Sequence, residues 1–214
     1  MGHADIWVDD AAHLLHISGH IFPCDREIVT ALPWKNHALL LSADTDCLSL
    51  WDAEGIVRTA RVGVYPQNMA VQGDTAYVCG GADGMLHLLS LPDLRKAAVY
   101  PLPGIVERVC THAAEPWVLT LLPEPEMCTA LLRIDLCTAE SIEITRFSGI
   151  PGALATDDVG LWIGVTDLAL HLPWATLVPD VIVDGIGLPE RFNVQPEGVI
   201  ITDGLEGQQI FVRT

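Results

Sequence analysis

A unit that opens with a proline recurs along this chain and limits what the chain can fold into. Each copy continues with a short strand-like run, a Gly/Asp turn, a strongly apolar run, and a polar hairpin that leads to a third apolar run. The copies start at Pro23, Pro66, Pro103, Pro151 and Pro189, at intervals of roughly 40 residues. Self-similarity at this period is typical of repeat architectures, in which every copy is one supersecondary unit.

The second run of each unit is nearly continuous in apolar residues, which is typical of a strand that is buried on both faces. The chain has no long stretch with apolar residues at helical spacing, and its 18 glycines and 14 prolines interrupt it too often for helices. The second runs occupy residues 38–42, 76–79, 117–120, 161–164 and 199–202. The pattern therefore predicts an all-β protein.

Units of about 40 residues with four strands each are the blades of a β-propeller. We predict a single domain over residues 1–214, a five-bladed propeller of four-stranded antiparallel blades. The fifth unit ends after its third strand, and the alternating run 13–17 is a candidate for its outer strand. The expectation is that N- and C-terminal strands share the last blade, with residues 1–22 as the closing region. A further strand-like run, 6–9, is surplus in this scheme.

A family resemblance rests on the unit around Pro66. Residues 63–71 read Gly-Val-Tyr-Pro-Gln-Asn-Met-Ala-Val, and residues 76–78 read Ala-Tyr-Val. This opening and the following apolar strand resemble the YVTN/YncE-like repeat of the quinoprotein amine dehydrogenase-like propellers, most clearly over about 39–91. The resemblance implies a propeller fold and carries almost no information about activity. Five repeats are found here, whereas members of that family usually have about seven blades.

Charge and composition exclude several classes of partner. The chain has 28 acidic and 11 basic residues, a net charge of -17 and a pI near 4.5. Neither nucleic acid nor an anionic membrane surface is expected as a partner, because both are bound by clustered Lys and Arg. The apolar stretch 159–183 contains charges and prolines and does not read as a membrane span. Single, unpaired cysteines and the lack of a basic leader favour a cytoplasmic protein.

Candidate site residues follow from the predicted fold. The first strand of every propeller blade lines the central channel, so residues two and four positions after the opening proline should face it. An alternative interpretation is that they are polar only because they line a narrow, water-filled channel. The candidates for a ligand site at the channel mouth are Asp25, Glu27, Asn68, Glu107, Arg191 and Asn193.

Three kinds of chemistry fit these residue types. Asp25, Glu27 and Glu107, together with Asn68, offer the oxygen ligands that a divalent cation such as Ca²⁺ requires. Arg191 is able to pair with the carboxylate of a small ligand. Two carboxylates across a channel also suit glycoside hydrolysis.

No nucleophile elbow or phosphate-binding loop accompanies these residues. We therefore predict a non-catalytic protein that presents a channel mouth to a protein or a small ligand and has no resident cofactor. The alternative is a small metal-assisted hydrolase or lactonase with its site in the channel.

Overall fold

The computed structural model describes residues 6–9, 12–24, 26–123 and 125–213, and this part of the chain forms 22 strands and no helix. The strands make six antiparallel sheets, and within each sheet strands that follow each other in sequence are also hydrogen-bonded neighbours. The chain divides into two compact units, with the boundary between Val106 and Glu107. The prediction of an all-β fold is confirmed.

The first unit contains three sheets. The first of them has three strands and each of the other two has four. The strands are β1 (Ile6–Asp9), β2 (Leu14–Ile17) and β3 (His20–Pro23); β4 (Ile28–Trp34), β5 (His37–Ser42), β6 (Cys47–Asp52) and β7 (Gly55–Arg61); and β8 (Asn68–Gln72), β9 (Thr75–Cys79), β10 (Met85–Ser90) and β11 (Arg95–Pro101).

The second unit also contains three sheets, two with four strands and a last one with three. Its first strand begins two residues ahead of the boundary. The strands are β12 (Ile105–His112), β13 (Glu115–Leu122), β14 (Cys128–Asp135) and β15 (Glu140–Ser148); β16 (Pro151–Thr156), β17 (Gly160–Val165), β18 (Leu168–Pro173) and β19 (Val181–Asp184); and β20 (Pro189–Gln195), β21 (Gly198–Asp203) and β22 (Gln209–Arg213).

Successive side chains of the middle strands pack against different neighbouring sheets. In β5, Leu39 and Leu41 belong to the apolar cluster shared with the sheet of β8–β11, whereas Leu40 belongs to the cluster shared with the first sheet. In β17, Ile163 packs towards the sheet of β12–β15 and Trp162 towards the last sheet. Side chains that are one residue apart point to opposite faces of a strand, so a continuous apolar run supplies two cores at once.

The outer strands have a different composition. β7, β11 and β15 are mostly exposed and carry several of the basic residues of the chain. Charged side chains on an outer strand discourage edge-to-edge pairing with other chains. Each of these strands lies at one end of the strand order of its sheet.

The count of five blades is not confirmed, because six sheets are present. The prediction that the run 13–17 completes the last sheet is wrong, since β2 pairs with β1 on one side and with β3 on the other. The surplus run 6–9 is β1, so this region makes a sheet of its own. The last sheet has three strands within the described residues. Its apolar face and that of the first sheet are covered by their neighbouring sheets.

No helix in the described ranges has the length and hydropathy that crossing a membrane requires. The treatment of residues 1–214 as a single domain stays a prediction.

Candidate binding surface

Each sheet has an end at which its first strand begins, called the entry end here. The loop between the second and third strands lies at this end, together with the link from the preceding sheet. In the first unit, Glu27 directly precedes β4 and is exposed, and Asn68 is the first residue of β8 and is half-buried. Both are therefore at entry ends, and their place at the mouth of a central channel stays a prediction. Asp25 lies outside the described residues.

In the second unit, Arg191 and Asn193 are exposed residues of β20. Asn193 is opposite Ile200, which is opposite Phe211 on β22, and directly opposed residues share a face of a sheet. The other face of this sheet carries Phe192 and packs against Trp162. Arg191 and Asn193 are therefore on the face that the neighbouring sheet does not cover.

Glu107 is the third residue of β12, and only about 20% of its side chain is exposed. Burial raises the pKa of its carboxyl group, and the neighbouring Arg108 guanidinium partly offsets this effect. The Nη1 atom of Arg108 is 3.6 Å from the Oε2 atom of Glu107 and donates a hydrogen bond to the Glu107 carbonyl. Glu107 is thus a partly desolvated carboxylate with a cation beside it.

Glu27 is connected to two other segments of the first unit. Its backbone N–H donates to Asp44 at 3.2 Å, in the loop between β5 and β6. Its side-chain Oε2 accepts a hydrogen bond of 3.4 Å from the hydroxyl of Tyr65, in the link between β7 and β8. Glu27, Asp44 and Tyr65 are all substantially exposed. They form the centre of a polar and aromatic surface at the entry end of this sheet.

The backbone of Tyr65 is fixed in an uncommon conformation. Its φ is +56°, a region in which non-glycine residues are rare. The Tyr65 N–H donates to the Oδ1 of Asp46 at 2.8 Å, and the Oδ2 of Asp46 accepts from Arg61 at 3.1 Å. These hydrogen bonds lower the pKa of Asp46, the bond from Tyr65 most of all. The carboxylate of Asp46 therefore stabilises the link in the conformation that exposes Tyr65.

The link is also bound to the loop between β9 and β10. Val64 donates its N–H to Gly80 at 3.1 Å and accepts from Ala82 at 3.0 Å. Gly81 has a φ of +61°, and a Cβ atom there would overlap with the carbonyl oxygen of Tyr65. Only glycine fits this close approach between the two backbones. As a result, 51% of Val64 and 49% of Tyr65 are exposed on a segment that is held from two sides.

The loop that supports this link contains an aspartate that contacts a buried histidine of β10. The Nε2 atom of His87 is 3.1 Å from the Oδ2 atom of Asp83, and the Oδ1 atom of Asp83 accepts from the Met85 N–H at 2.9 Å. His87 is 4% exposed. A buried pair that is bonded to its own loop stabilises the loop, and its position below the surface keeps it away from a large substrate.

The second unit has a small cavity of about 260 Å³ at the entry end of its last two sheets. Its lining includes Asp167, Ile186, Asp203, Leu205 and Glu206. The Oδ1 atom of the buried Asp203 accepts hydrogen bonds from two backbone N–H groups, those of Leu188 and Leu205, at 3.2 and 2.9 Å. Leu205, 73% exposed, stands at the rim. This entry end too combines carboxylates with an exposed apolar side chain.

The candidate cation ligands stay a prediction, because Asp25 lies outside the described residues. Within the residues that the structure describes, no group of three or more His, Cys, Asp or Glu side chains is placed to hold a metal ion. Glu27 instead uses its side chain to accept the Tyr65 hydroxyl. The sequence did not predict a binding role for Tyr65. An aromatic residue directly precedes the opening proline in two units, as Phe22 before Pro23 and Tyr65 before Pro66, so this pattern alone does not distinguish Tyr65.

Comparison with known proteins shows the fold. No family model and no curated protein matches the chain. Among solved structures, the dihydro-heme d1 dehydrogenase NirN, in complex with DHE, matches with a TM-score of 0.61 and 15% identity, over 99% of this chain and 61% of that one. The Cps50 (Swd1) β-propeller domain of Myceliophteria thermophila matches with a TM-score of 0.62 and 12% identity, over 83% of this chain and 63% of that one.

The computationally designed Ika8 protein matches with a TM-score of 0.70 and 9% identity, over 100% of this chain and 71% of that one. This chain spans about six-tenths of the length of the first two structures. Identities this low show the fold alone. The fold is therefore of the β-propeller class, and the YVTN/YncE-like assignment is not confirmed.

Proposed function

We propose that this chain is a non-catalytic binding protein of the propeller class, and that the loops at the entry ends of its sheets contact a protein partner. The observation that carries this proposal is the link at Val64 and Tyr65. Two half-exposed side chains, one of them aromatic, stand on a backbone that Asp46 and the loop at Gly81 hold in place.

Fixing an aromatic side chain before binding reduces the entropy that association costs. Tyrosine is also among the residues that dominate the energetics of protein interfaces. Non-glycine residues at positive φ cost energy, and they occur preferentially at binding and catalytic sites. Eleven non-glycine residues in the described part of the chain have a positive φ, and Tyr65 is one of them. Its conformation is maintained by the hydrogen bond to Asp46.

The surroundings of Tyr65 indicate the chemistry of the partner. Glu27 accepts the Tyr65 hydroxyl, Asp44 accepts the backbone N–H of Glu27, and the chain as a whole carries a net charge of -17. An apolar cleft that accepts Val64 and Tyr65, with Lys or Arg at its edge, is complementary to this surface.

We also infer that the units belong to the YVTN type. Gly63 has a φ of +67°, and a Cβ atom at this position would overlap with the backbone of Gly80. Tyr77 and Val78 of β9, the second strand of this unit, are buried. The glycine of the opening and the apolar pair of the second strand thus have structural roles that explain why this pattern recurs.

Affinity capture tests the binding proposal. The full chain, with a photo-crosslinker on its entry-end loops, is exposed to a lysate beside the double variant Val64→Ser/Tyr65→Ala. The control is Val99→Ser, which changes an exposed residue of the outer strand β11 in the same unit. We expect a crosslinked protein that the control retains and the double variant loses. Equal capture by all three proteins would overturn the proposal.

The alternative function, a metal-assisted hydrolase or lactonase, is tested separately. Millimolar Ca²⁺ should raise the melting temperature if Glu27 and Glu107 are ligands, and the variant Glu27→Ala/Glu107→Ala should abolish the increase. We expect no increase that depends on these two residues. An increase that the double variant abolishes would favour the enzyme.

A further inference from the structure

A second concave surface lies in the second unit, at the end of the sheets opposite to the entry end. It is a groove of about 640 Å³ between the turn that joins β16 to β17 and the turn that joins β20 to β21. Pockets of this volume accommodate a few side chains of a partner. Its lining includes Asp157, Asp158, Val159, Val194 and Pro196.

The walls of the groove are apolar and partly exposed. Val159 is 60% exposed on one turn, and Val194 is 37% exposed on the strand opposite. Pro196 is exposed beside them, on the second turn. Such side chains gain free energy when an apolar group of a partner covers them.

The first turn is held rigidly. The Oδ1 atom of Asp157 accepts the N–H groups of Val159 and Gly160 at 2.8 and 2.7 Å. The carbonyl oxygen of Val159 accepts the N–H of Trp174 at 2.9 Å. Val159 is therefore presented from a turn that these three hydrogen bonds hold in place, which lowers the ordering cost of binding.

The charges around the groove are negative. Asp158 lines the groove, and Glu197 lies on the second turn between the lining residues Pro196 and Gly198. Both are exposed, and neither has an ion-pair partner among the residues that the structure describes. Asp157 adds a third carboxylate, which its hydrogen bonds keep ionised. A positively charged group at the rim would find carboxylates on both sides, in a protein with a large net negative charge.

We propose that this groove binds a basic segment of a partner protein, in which an apolar residue enters between Val159 and Val194 and flanking Arg or Lys residues contact Asp158 and Glu197. The groove and the entry-end surface at Tyr65 consist of different residues of different units. The proposal is thus independent of the function proposed above.

The test is a fluorescence polarisation titration of the full chain with a labelled peptide of alternating Leu and Arg. An Arg/Gly peptide supplies the charge without the apolar residue, and a Leu/Glu peptide reverses the charge. The variants are Val159→Ser and Asp158→Asn. Ile182→Ser and Asp184→Asn are matched controls, because they change an exposed apolar and an exposed acidic residue of the outer strand β19 in the same unit.

We expect Val159→Ser to weaken binding of the Leu/Arg peptide about fivefold or more, with the two controls unchanged. Asp158→Asn should weaken binding at low salt and reduce its salt dependence. Melting curves establish that each variant is folded. Unchanged affinity of Val159→Ser, or equal binding of the Arg/Gly peptide, would overturn the proposal. So would an equal loss in the controls, because it would indicate diffuse attraction to an acidic protein.

Discussion

Trp162 donates a hydrogen bond of 2.8 Å from its indole Nε1 to the Oδ2 of Asp157. The bond joins β17 to the turn that precedes it. Trp162 is fully buried, between the sheet of β16–β19 and the last sheet. One carboxylate therefore satisfies both a buried indole and the backbone of the turn that borders the proposed groove. Asp157 has a structural role, whereas its neighbour Asp158 has its carboxylate available for a partner.

Replacing Asp157 by Ala should lower the free energy of unfolding by about 2 kcal/mol, because the buried Trp162 indole would lose its acceptor. Asp158→Ala, one residue away and exposed, is the control and should leave stability nearly unchanged. Urea unfolding monitored by tryptophan fluorescence measures both. Equal stability of the two variants would contradict the structural role of Asp157.

The contribution of Asp157 should also depend on pH. Burial alone would raise its pKa, but the hydrogen bonds from Trp162 and two backbone amides outweigh burial and lower the pKa below its usual value. A carboxyl group with a lowered folded-state pKa stabilises the protein above its unfolded-state pKa. The stability difference between wild type and Asp157→Asn should be complete at pH 7 and shrink as the pH falls through the folded-state pKa. A difference that grows on acidification would be inconsistent with this assignment.

At Glu107 the effect of pH on stability should have the opposite sign, and the variant Glu107→Gln tests this. Burial raises the pKa of Glu107 despite the neighbouring Arg108, so its charged form is less favourable in the folded state than in the unfolded chain. Wild type should lose stability as the pH rises from the unfolded-state pKa through the folded-state value. The variant removes this loss, and its melting temperature at pH 7 should exceed that of wild type by about 2 °C. The two proteins should melt alike below pH 4.

The link at Tyr65 should loosen when Asp46 is replaced. In Asp46→Asn the carboxylate that accepts the Tyr65 N–H and the Arg61 guanidinium is lost. Hydrogen exchange at the Tyr65 amide should accelerate about tenfold or more, because the charge-assisted bond that protects it weakens. Asp93→Asn is the matched control, since Asp93 makes only a long, exposed ion pair of 3.7 Å with Arg58. Exchange at Tyr65 that is unchanged in Asp46→Asn would refute the role of Asp46.

The first sheet should contribute substantially to the stability of its unit. Leu15 of β2 is fully buried in the cluster with Leu40 and Trp51. Leu15→Ala should therefore cost about 3 kcal/mol of unfolding free energy. Ile21→Ala on the adjacent strand changes a residue that is 58% exposed and should cost little. Denaturant unfolding compares the two, and similar losses would show that β2 is not packed as described.

The opening prolines and the apolar runs predict where most strands lie, because strand formation is determined by residues that are close in sequence. Pro151 and Pro189 are the first residues of β16 and β20, and the apolar runs 38–42 and 76–79 are within β5 and β9. Strand formation depends on the alternation of apolar and polar residues and on turn residues, and both are visible in a short stretch of sequence. Which strands pair depends on backbone hydrogen bonds, which every residue type except proline can form. For this reason the sequence predicts a strand at 13–17 correctly but places it in the last sheet, whereas β2 pairs with β1 and β3.

The candidate site residues are harder to predict than the strands, because the direction of a side chain depends on the local regularity of its strand. Counting two and four residues from each proline assumes a regular strand, but the register of β20 against β21 shifts between Pro189 and Arg191. The same irregularity occurs in β4 between Ile28 and Thr30. A bulge changes which face a side chain occupies. Tyr65 was not predicted, because its exposure results from hydrogen bonds to Asp46 and from the fit against Gly81, which are distant in sequence.

Strand order has a consequence for how the protein is made. In the six sheets that the described residues form, each strand pairs with the one just before or just after it in the chain. Within these ranges no sheet needs a strand from elsewhere to complete its hydrogen bonds. Pairing between near neighbours costs little loop entropy and is fast. During synthesis a sheet can therefore assemble soon after its last strand leaves the ribosome, and the growing polypeptide exposes the apolar face of only its newest sheet.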